Sequence, residues 1–284
     1  MLRGVAGNPI LQALVPKSIW VSERSIWFSG VRLRSRTTVV RLAGDALWVH
    51  SPCTPSCEVC AALDALGEVR WIVVPNRFHH LQTPATVARY PNARIVGPRS
   101  AEARNPHVRV TMTADDPEYL GAAPELTSIP LDGVPFLDET VFFHSASGSL
   151  IAADLLMSAC ARDHWTWRAA ARVFGRYEKV GTPPDVRLHT RASAAAAESI
   201  ARMRALPVER ILVAHADPIT DRPLDQLVAA WRFATPPHLD QGRSFSEKNG
   251  RRYWLHLRDD PTNHRVWSRV ALVAHRPGDA QSIA

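Results

Sequence analysis

Several things are scarce in this 284-residue chain. It has four cysteines, too few to staple a chain of this length with disulfides. No uninterrupted apolar run approaches the roughly 18 residues that a membrane-spanning helix needs. The opening stretch, residues 1–17, is only mildly apolar. Asn8, Pro9, Gln12 and Pro16 break it, and no small-residue cleavage site follows. No signal peptide is therefore expected, and the cytoplasm is the expected compartment. Internal repeats are missing, and the longest low-complexity run is Ala194 to Ala197. Lysine is rare beside arginine. The net charge is +7, yet the basic residues are spread out rather than gathered in blocks. That pattern argues against nucleic acid and for a small, anionic substrate. No membrane partner is expected, and a homo-oligomer stays open.

What is present suits a globular protein. The chain is 46% hydrophobic and 21% charged, and at this length about 75% of the unfolded surface can be buried without staples. Strand-like pieces fall at Ser18 to Glu23, Ser25 to Leu33, Thr37 to Leu42 and Ala46 to His50, the last two forming a hairpin around Gly44-Asp45. Cys57 to Leu66 has helical spacing and stops at Gly67. Val69 to Val74 and Ala93 to Val96 read as buried strands, with a short helix from Pro84 to Tyr90 between them. Leu126 to Leu131, Thr140 to Phe143, Ser149 to Ala153 and Arg210 to Val213 are further strands, and Ala192 to Leu206 and Leu224 to Phe233 are helices. Pro236-Pro237 punctuates the chain. Beyond it, Arg251 to Arg258 and Arg265 to His275 read as a hairpin. This predicts two domains, 1–234 and 235–284. Strands and helices alternate with hairpins mixed in, which points to a layered α/β fold with mixed sheets.

Chemistry-bearing residues gather at strand ends, where a rigid strand positions a side chain and a loop exposes it. Pro75-Asn76-Arg77-Phe78-His79-His80 follows the strand ending at Val74. Asp154 follows Leu150-Ile151-Ala152-Ala153. His215 follows Ile211-Leu212-Val213-Ala214. A lone histidine in such a place is commonly a hydrogen-bonded polar residue, and an aspartate there is often a helix cap. Together, His79, His80, Asp154 and His215 offer imidazole and carboxylate in a combination that suits Zn²⁺ or Fe²⁺.

Two other groups invite comparison with known chemistry. Cys53-x3-Cys57-x2-Cys60 matches the iron–sulfur spacing of radical-SAM enzymes literally. Val59 stands where an aromatic residue belongs, however, and Cys57 and Cys60 lie one helical turn apart, where burial accounts for them. The three are not expected to ligate jointly. Residues 155 to 190 are rich in Arg and Trp and follow Asp154. Trp165, Trp167 and Arg168 are candidate substrate contacts; the alternative is a helix from Trp165 to Phe174 with a solvated basic face.

The order of these pieces resembles the metallo-β-lactamase superfamily, from about Ser18 to Phe233. In that superfamily a strand leads into a His-x-His-x-Asp-His loop, a bridging Asp follows an apolar strand, and a last His follows a final strand. Here Val73-Val74-Pro75-Asn76-Arg77-Phe78-His79-His80, Ile151-Ala152-Ala153-Asp154-Leu155-Leu156 and Leu212-Val213-Ala214-His215-Ala216-Asp217 stand in those places. Asn76 to Leu81, Phe142-Phe143-His144 and the Asp154 and His215 contexts resemble a divergent, uncharacterised branch. Laid on the motif, the first two histidines fall at Pro75 and Arg77, the Asp at His79, and only His80 is kept. A further family His would fall near Gly133-Val134, where there is none.

The resemblance implies a four-layer αββα sandwich with a C-terminal β-hairpin appendage. It implies one divalent metal ion, Zn or Fe, held by His79, His80, Asp154 and His215 in the second metal position, since the first has lost its ligands. The implied activity is hydrolysis of a small anionic ester or amide through an activated water, with Arg77, His79 and Asp154 as catalytic residues. Arg77, standing where the first ion was lost, would contact the substrate and pair with Asp154. Two alternatives remain open: a non-haem iron oxidoreductase on the same fold, and a metal-free binding or assembly protein.

Overall fold

Apolar runs of strand length recur through the first part of the chain, and the structure, a computed structural model, pairs them into two sheets. It describes residues 11–236, 246–248, 251–258 and 266–270. By contacts the chain divides into the units Met1–Ala234 and Thr235–Ala284.

The first sheet holds β1 (Gln12–Val15), β2 (Ile19–Phe28), β3 (Val31–Arg41), β4 (Ala46–His50), β5 (Glu68–Val73) and β6 (Arg94–Val96), side by side in that order. Pairing is antiparallel from β1 to β4. It turns parallel from β4 to β6, because helices α1 (Cys57–Leu66) and α2 (Thr83–Arg89) supply the crossovers. Two short helices follow, α3 (Ser100–Arg104) and α4 (Pro117–Ala122). The second sheet contains β7 (Leu126–Pro130), β8 (Thr140–His144), β9 (Ser149–Ile151) and β10 (Arg210–Leu212), in the order β10-β9-β8-β7. Between β9 and β10 lie α5 (Trp165–Val173), α6 (Pro184–His189) and α7 (Ala194–Arg204), and α8 (Pro223–Trp231) comes last in this unit.

Side-chain alternation explains the layering. In β4, Trp48 faces the second sheet, while Leu47 and Val49 face α1. In β8, Phe142 faces the first sheet, while Val141 and Phe143 face α7 and α8. Both sheets are therefore buried on both faces, and their central strands read as continuous apolar runs rather than alternating ones. The result is the αββα sandwich expected from the sequence. Helix α1 starts at Ser56, whose hydroxyl accepts from Val59 N, and stops at Gly67. A Cβ at Gly67 would meet the Asp45 carbonyl oxygen at 2.0 Å, and its φ is +157°, so glycine is required there.

One expected break is absent. Residues 19–28 form one strand, not two pieces split near Arg24, and the turn comes at Ser29-Gly30, both with positive φ. The polar Glu23-Arg24-Ser25 stretch stays in the ladder because its partner strand answers it: Arg36 Nη2 donates to Glu23 Oε1 at 2.6 Å. The β2–β3 hairpin packs its outer part, Ile26, Val31 and Leu33, against Met157, Trp167 and Ala171. In the C-terminal unit, β11 (Ser246–Lys248), β12 (Arg251–Arg258) and β13 (Val266–Val270) form an antiparallel three-stranded sheet. It contains the hairpin expected there; of the expected second strand, residues 265 and 271–275 lie outside the described residues.

Candidate metal centre

Asp154 and His215 meet because of strand register. Strands β9 and β10 are parallel neighbours, and Ile151 pairs with Leu212. Each chain runs three residues further to its polar residue. The ladder continues through Ala152 N→Leu212 O and Ala214 N→Ala153 O, so the two side chains leave adjacent strands at the same level, about 4.8 Å apart in the sheet direction. His79 arrives from the other sheet, on the loop after β5. That loop is tied to the approach to β8 by Thr140 N→Pro75 O at 2.9 Å and Arg77 N→Leu137 O at 3.3 Å.

The three donors converge. His79 Nε2 lies 3.2 Å from Asp154 Oδ2, and His215 Nε2 lies 3.3 Å from Asp154 Oδ1. One ligand atom from each residue lies within 4.8 Å of the others, and among the described residues this is the group of three or more His, Cys, Asp or Glu side chains so arranged. The far nitrogens of both imidazoles are engaged. His79 Nδ1 lies 2.6 Å from Ser51 Oγ, and His215 Nδ1 donates to the Arg34 carbonyl at 2.5 Å. A carbonyl can only accept, so Nδ1 of His215 carries a hydrogen and its Nε2 is the atom presented to the centre. Tying the remote nitrogen in this way is how proteins orient imidazole ligands for a metal. The donor set therefore fits one divalent ion, with three protein ligands and open positions left over.

Behind these groups stands a second set that sequence reasoning did not single out. Asn76 is fully buried. Its Oδ1 accepts from Phe78 N and His79 N at 2.9 and 3.0 Å, which folds the loop so that His79 points inward. Its Nδ2 donates to Asp154 Oδ2 at 2.8 Å and to Glu139 Oε2 at 3.1 Å. Glu139, equally buried, accepts from Ala153 N at 2.6 Å and Asp154 N at 3.0 Å. Ser51, at the end of β4, and Asn76 stand at strand ends and could have been flagged on that ground. Glu139 precedes a strand with no sequence signal of its role.

Electrostatics follow from burial and pairing. Asp154 is largely shielded, and that opposes its charge, but the two imidazoles hold its carboxyl well below the ordinary value of 3.8. Burial opposes charge on His215, yet the Asp154 hydrogen bond and charge raise it above 6.5. Burial, then the Asp154 charge, pushes Glu139 up to about 8. His50, stacked on Trp48 at 5.3 Å, is driven down to about 3 by burial, with His79 adding to the effect. It is neutral at ordinary pH, and its Nε2 finds no hydrogen-bond partner among the described residues.

Several expected site residues lie elsewhere. His80 does not join the centre. The Asn76-anchored turn aims His79 inward, and the next side chain faces Asn105, with Nδ1 to Asn105 Nδ2 at 3.4 Å. Burial and the Arg104 charge lower its pKa. Arg77 does not reach Asp154. Its backbone is held by Leu137, and its guanidinium donates to the Pro135 carbonyl at 3.5 Å. The partner it was expected to give Asp154 is supplied by Asn76. Trp165 is 68% exposed, and Arg168 donates to the Ala161 carbonyl at 3.4 Å; neither lines the cleft above the centre. Trp167 does, because it sits two residues on from Trp165, on the buried face of α5. Cys53 and Cys60 are buried and Cys57 is exposed, all as free thiols, and they do not form a metal-type group.

The centre opens into a cleft of about 990 Å³ whose walls include His79, Asp154 and His215. No helix among the described residues is long and apolar enough to cross a membrane.

Known proteins agree with this geometry at the level of fold. A family model described as a domain of unknown function, DUF4336, matches residues 16–100. No curated protein matches the chain by sequence. Among solved structures, a metallo-β-lactamase from Pontibacter korlensis superposes with a TM-score of 0.52 at 11% identity, covering 78% of this chain and 98% of its own. One from Erythrobacter litoralis, with β-mercaptoethanol in its active site, gives 0.57 at 15% identity, covering 78% and 95%. One from Hirschia baltica gives 0.53 at 9% identity, covering 80% and 98%. Two face-to-face sheets with flanking helices thus give this chain a metallo-β-lactamase-like fold.

Proposed function

We propose that the protein is a metal-dependent hydrolase of ester- or amide-type substrates, with one divalent ion held by His79, Asp154 and His215. The observation that carries this reading is the arrangement around Asp154: each carboxylate oxygen faces the Nε2 of a different histidine, and both Nδ1 atoms are already engaged. A divalent ion bound there would lower the pKa of a water and polarise a carbonyl. The protein's own part is orientation. Ser51 and the Arg34 carbonyl fix the imidazoles, Asn76 fixes Asp154, and the deep position of the centre in the cleft limits bulk water around the reacting bond. Hydrolysis adds water across the acyl bond, so the acyl carbon gains the water oxygen and the leaving group gains a proton.

Two histidines and one carboxylate also form the donor set of non-haem iron enzymes, and that supports an oxidoreductase as the second reading. Elemental analysis of protein purified without added metal separates the two. Zinc, with ester turnover lost in Asp154→Ala, supports the hydrolase. Iron with oxygen uptake moves the assignment to redox chemistry. Protein that retains no ion after loading and dialysis is a metal-free binding protein instead.

A further inference from the structure

The cleft is far more apolar than a small anionic substrate needs. Its volume of about 990 Å³ lies at the upper end of the range for drug-sized ligands. One wall is the outer β2–β3 hairpin, with Ile26, Phe28 and Leu33. Trp167 of α5, packed against that hairpin, continues the lining, and Phe174 and Leu188 extend it along the segment after Asp154. Four large apolar side chains on this cleft are exposed: Phe28 at 48%, Leu81 at 60%, Phe174 at 53% and Leu188 at 80%. Such a concentration around one opening marks a binding site, since exposed apolar residues elsewhere are normally scattered singly.

The fixed cations of the lining, Arg24 and Arg104, already have partners. Arg24 donates to Thr54 Oγ1 at 2.8 Å, and Arg104 lies over the Phe78 ring, 4.4 Å from its centroid. Asp185, on the same lining, adds a negative charge. Those partners, Thr54 and Phe78, are neutral, but with Asp154 the lining carries two carboxylates against two guanidiniums, so no single-sign field marks it for an anion. His79, Asp154 and His215 belong to the same lining.

We propose that the substrate is a long-chain carboxylic ester, whose apolar arm lies along the lining that the β2–β3 hairpin, α5 and Leu188 form together while its carbonyl reaches the His79–Asp154–His215 centre. This rests on the hydrolase reading. The step is ordinary ester hydrolysis: the water oxygen bonds to the acyl carbon, the acyl C–O bond breaks, and the departing alkoxide takes the proton.

Two measurements test it separately from that reading. Turnover of p-nitrophenyl esters from acetate to dodecanoate should give kcat/KM rising with chain length. The ceiling is about fourfold per fully buried methylene, with a plateau once the cleft is filled. Binding is read without chemistry, by displacing N-phenyl-1-naphthylamine with straight-chain alcohols from butanol to decanol. Affinity should rise with length by a similar factor, and this should persist in His79→Ala, which abolishes turnover. Phe174→Ser and Leu188→Ser should weaken decanol several-fold. Val173→Ser, 81% exposed and outside the cleft lining, should not. Ala170→Trp should move the optimum to shorter chains. A flat chain-length profile in both assays overturns the proposal, as does a dimer, seen by light scattering, whose formation excludes the fluorophore. Chain-dependent binding with no hydrolysis of any ester leaves the apolar cleft standing and sinks the hydrolase reading.

Discussion

The metal-type centre and the cleft above it present opposite surfaces, one polar and one largely apolar. At the centre every side chain is buried or nearly so, and each has at least one hydrogen-bond partner from another element: Asn76 bridges to Asp154, Ser51 to His79, and the Arg34 carbonyl to His215. The wall from residue 155 to 190 is tied to the body by directional bonds too, Asp163 to Arg34 and Arg162 to Glu23, but the surface it gives the cleft is largely apolar, with Met157, Trp167, Phe174 and Leu188, and its rim is open to solvent. The contrast separates two tasks. Directional bonds fix atoms to within tenths of an ångström, which chemistry requires. Non-directional apolar packing tolerates change, which suits a surface that selects a class of molecule rather than one atom.

If that division holds, substitutions at the centre should be severe and all of one kind. The largest effect is expected for Asp154→Ala. It removes the group both histidines face, so metal retention and turnover should fall to background, measured by elemental analysis after dialysis. Asn76→Ala comes next. It leaves the Asp154 and Glu139 oxygens and two backbone N–H groups without their partner, so metal affinity should drop about 10–100-fold. Folding stability should fall by roughly 1–3 kcal/mol, as read by denaturant unfolding of the metal-free protein. Unchanged metal affinity in Asn76→Ala would break the comparison, since it would mean the bonded network does not position the ligands.

A pH series sharpens it. In metal-free protein the folded pKa of His215 is raised above 6.5. Its stabilising contribution is therefore fully present below 6.5 and is lost as pH rises through the raised value. Asp154, depressed below 3.8, contributes stability above 3.8 that is lost as pH falls through its folded value. His50 has the opposite sign to His215. Its folded value near 3 means that the unfolded chain takes up the proton first, so stability falls as pH drops below 6.5. His50→Phe should remove that part of the acid limb, whereas His215→Gln should flatten the alkaline one. Metal binding near neutral pH should release a proton from His215, seen as a buffer-dependent heat in calorimetry.

The smallest effect is expected for Arg77→Ala. Its guanidinium makes one long bond to a carbonyl and none to Asp154, and Arg77 is not among the residues that line the cleft. Stability should move by no more than about 0.5 kcal/mol, and metal affinity and KM should stay within twofold of the parent protein. A large rise in KM would restore the substrate contact expected from sequence and place Arg77 in the site.

Much of the architecture could be read from the chain. The strand at Val69 to Val74, the helix stop at Gly67 and the strands leading to Asp154 and His215 all follow from apolar runs and turn residues. These are local properties, set by side-chain period and backbone sterics. The fold was reached through the spacing of strand-end polar residues, and solved structures share it. The choice between His79 and His80 could not be read. Adjacent residues on a loop carry no periodicity, and the decision is made by Asn76 together with Asp154, 78 positions along the chain. Arg77 was misplaced for the same reason, because its position depends on Leu137 and Pro135. Trp165 and Trp167 differ only in which side of a short helix meets the β2–β3 hairpin. The sequence by itself therefore determined most of the elements, pointed to their layers through a resemblance, and singled out the three strand-end residues that meet. Only the tertiary structure decided which histidine turns inward, what holds Asp154 and how apolar the cleft is, because each depends on contacts between groups far apart in the chain.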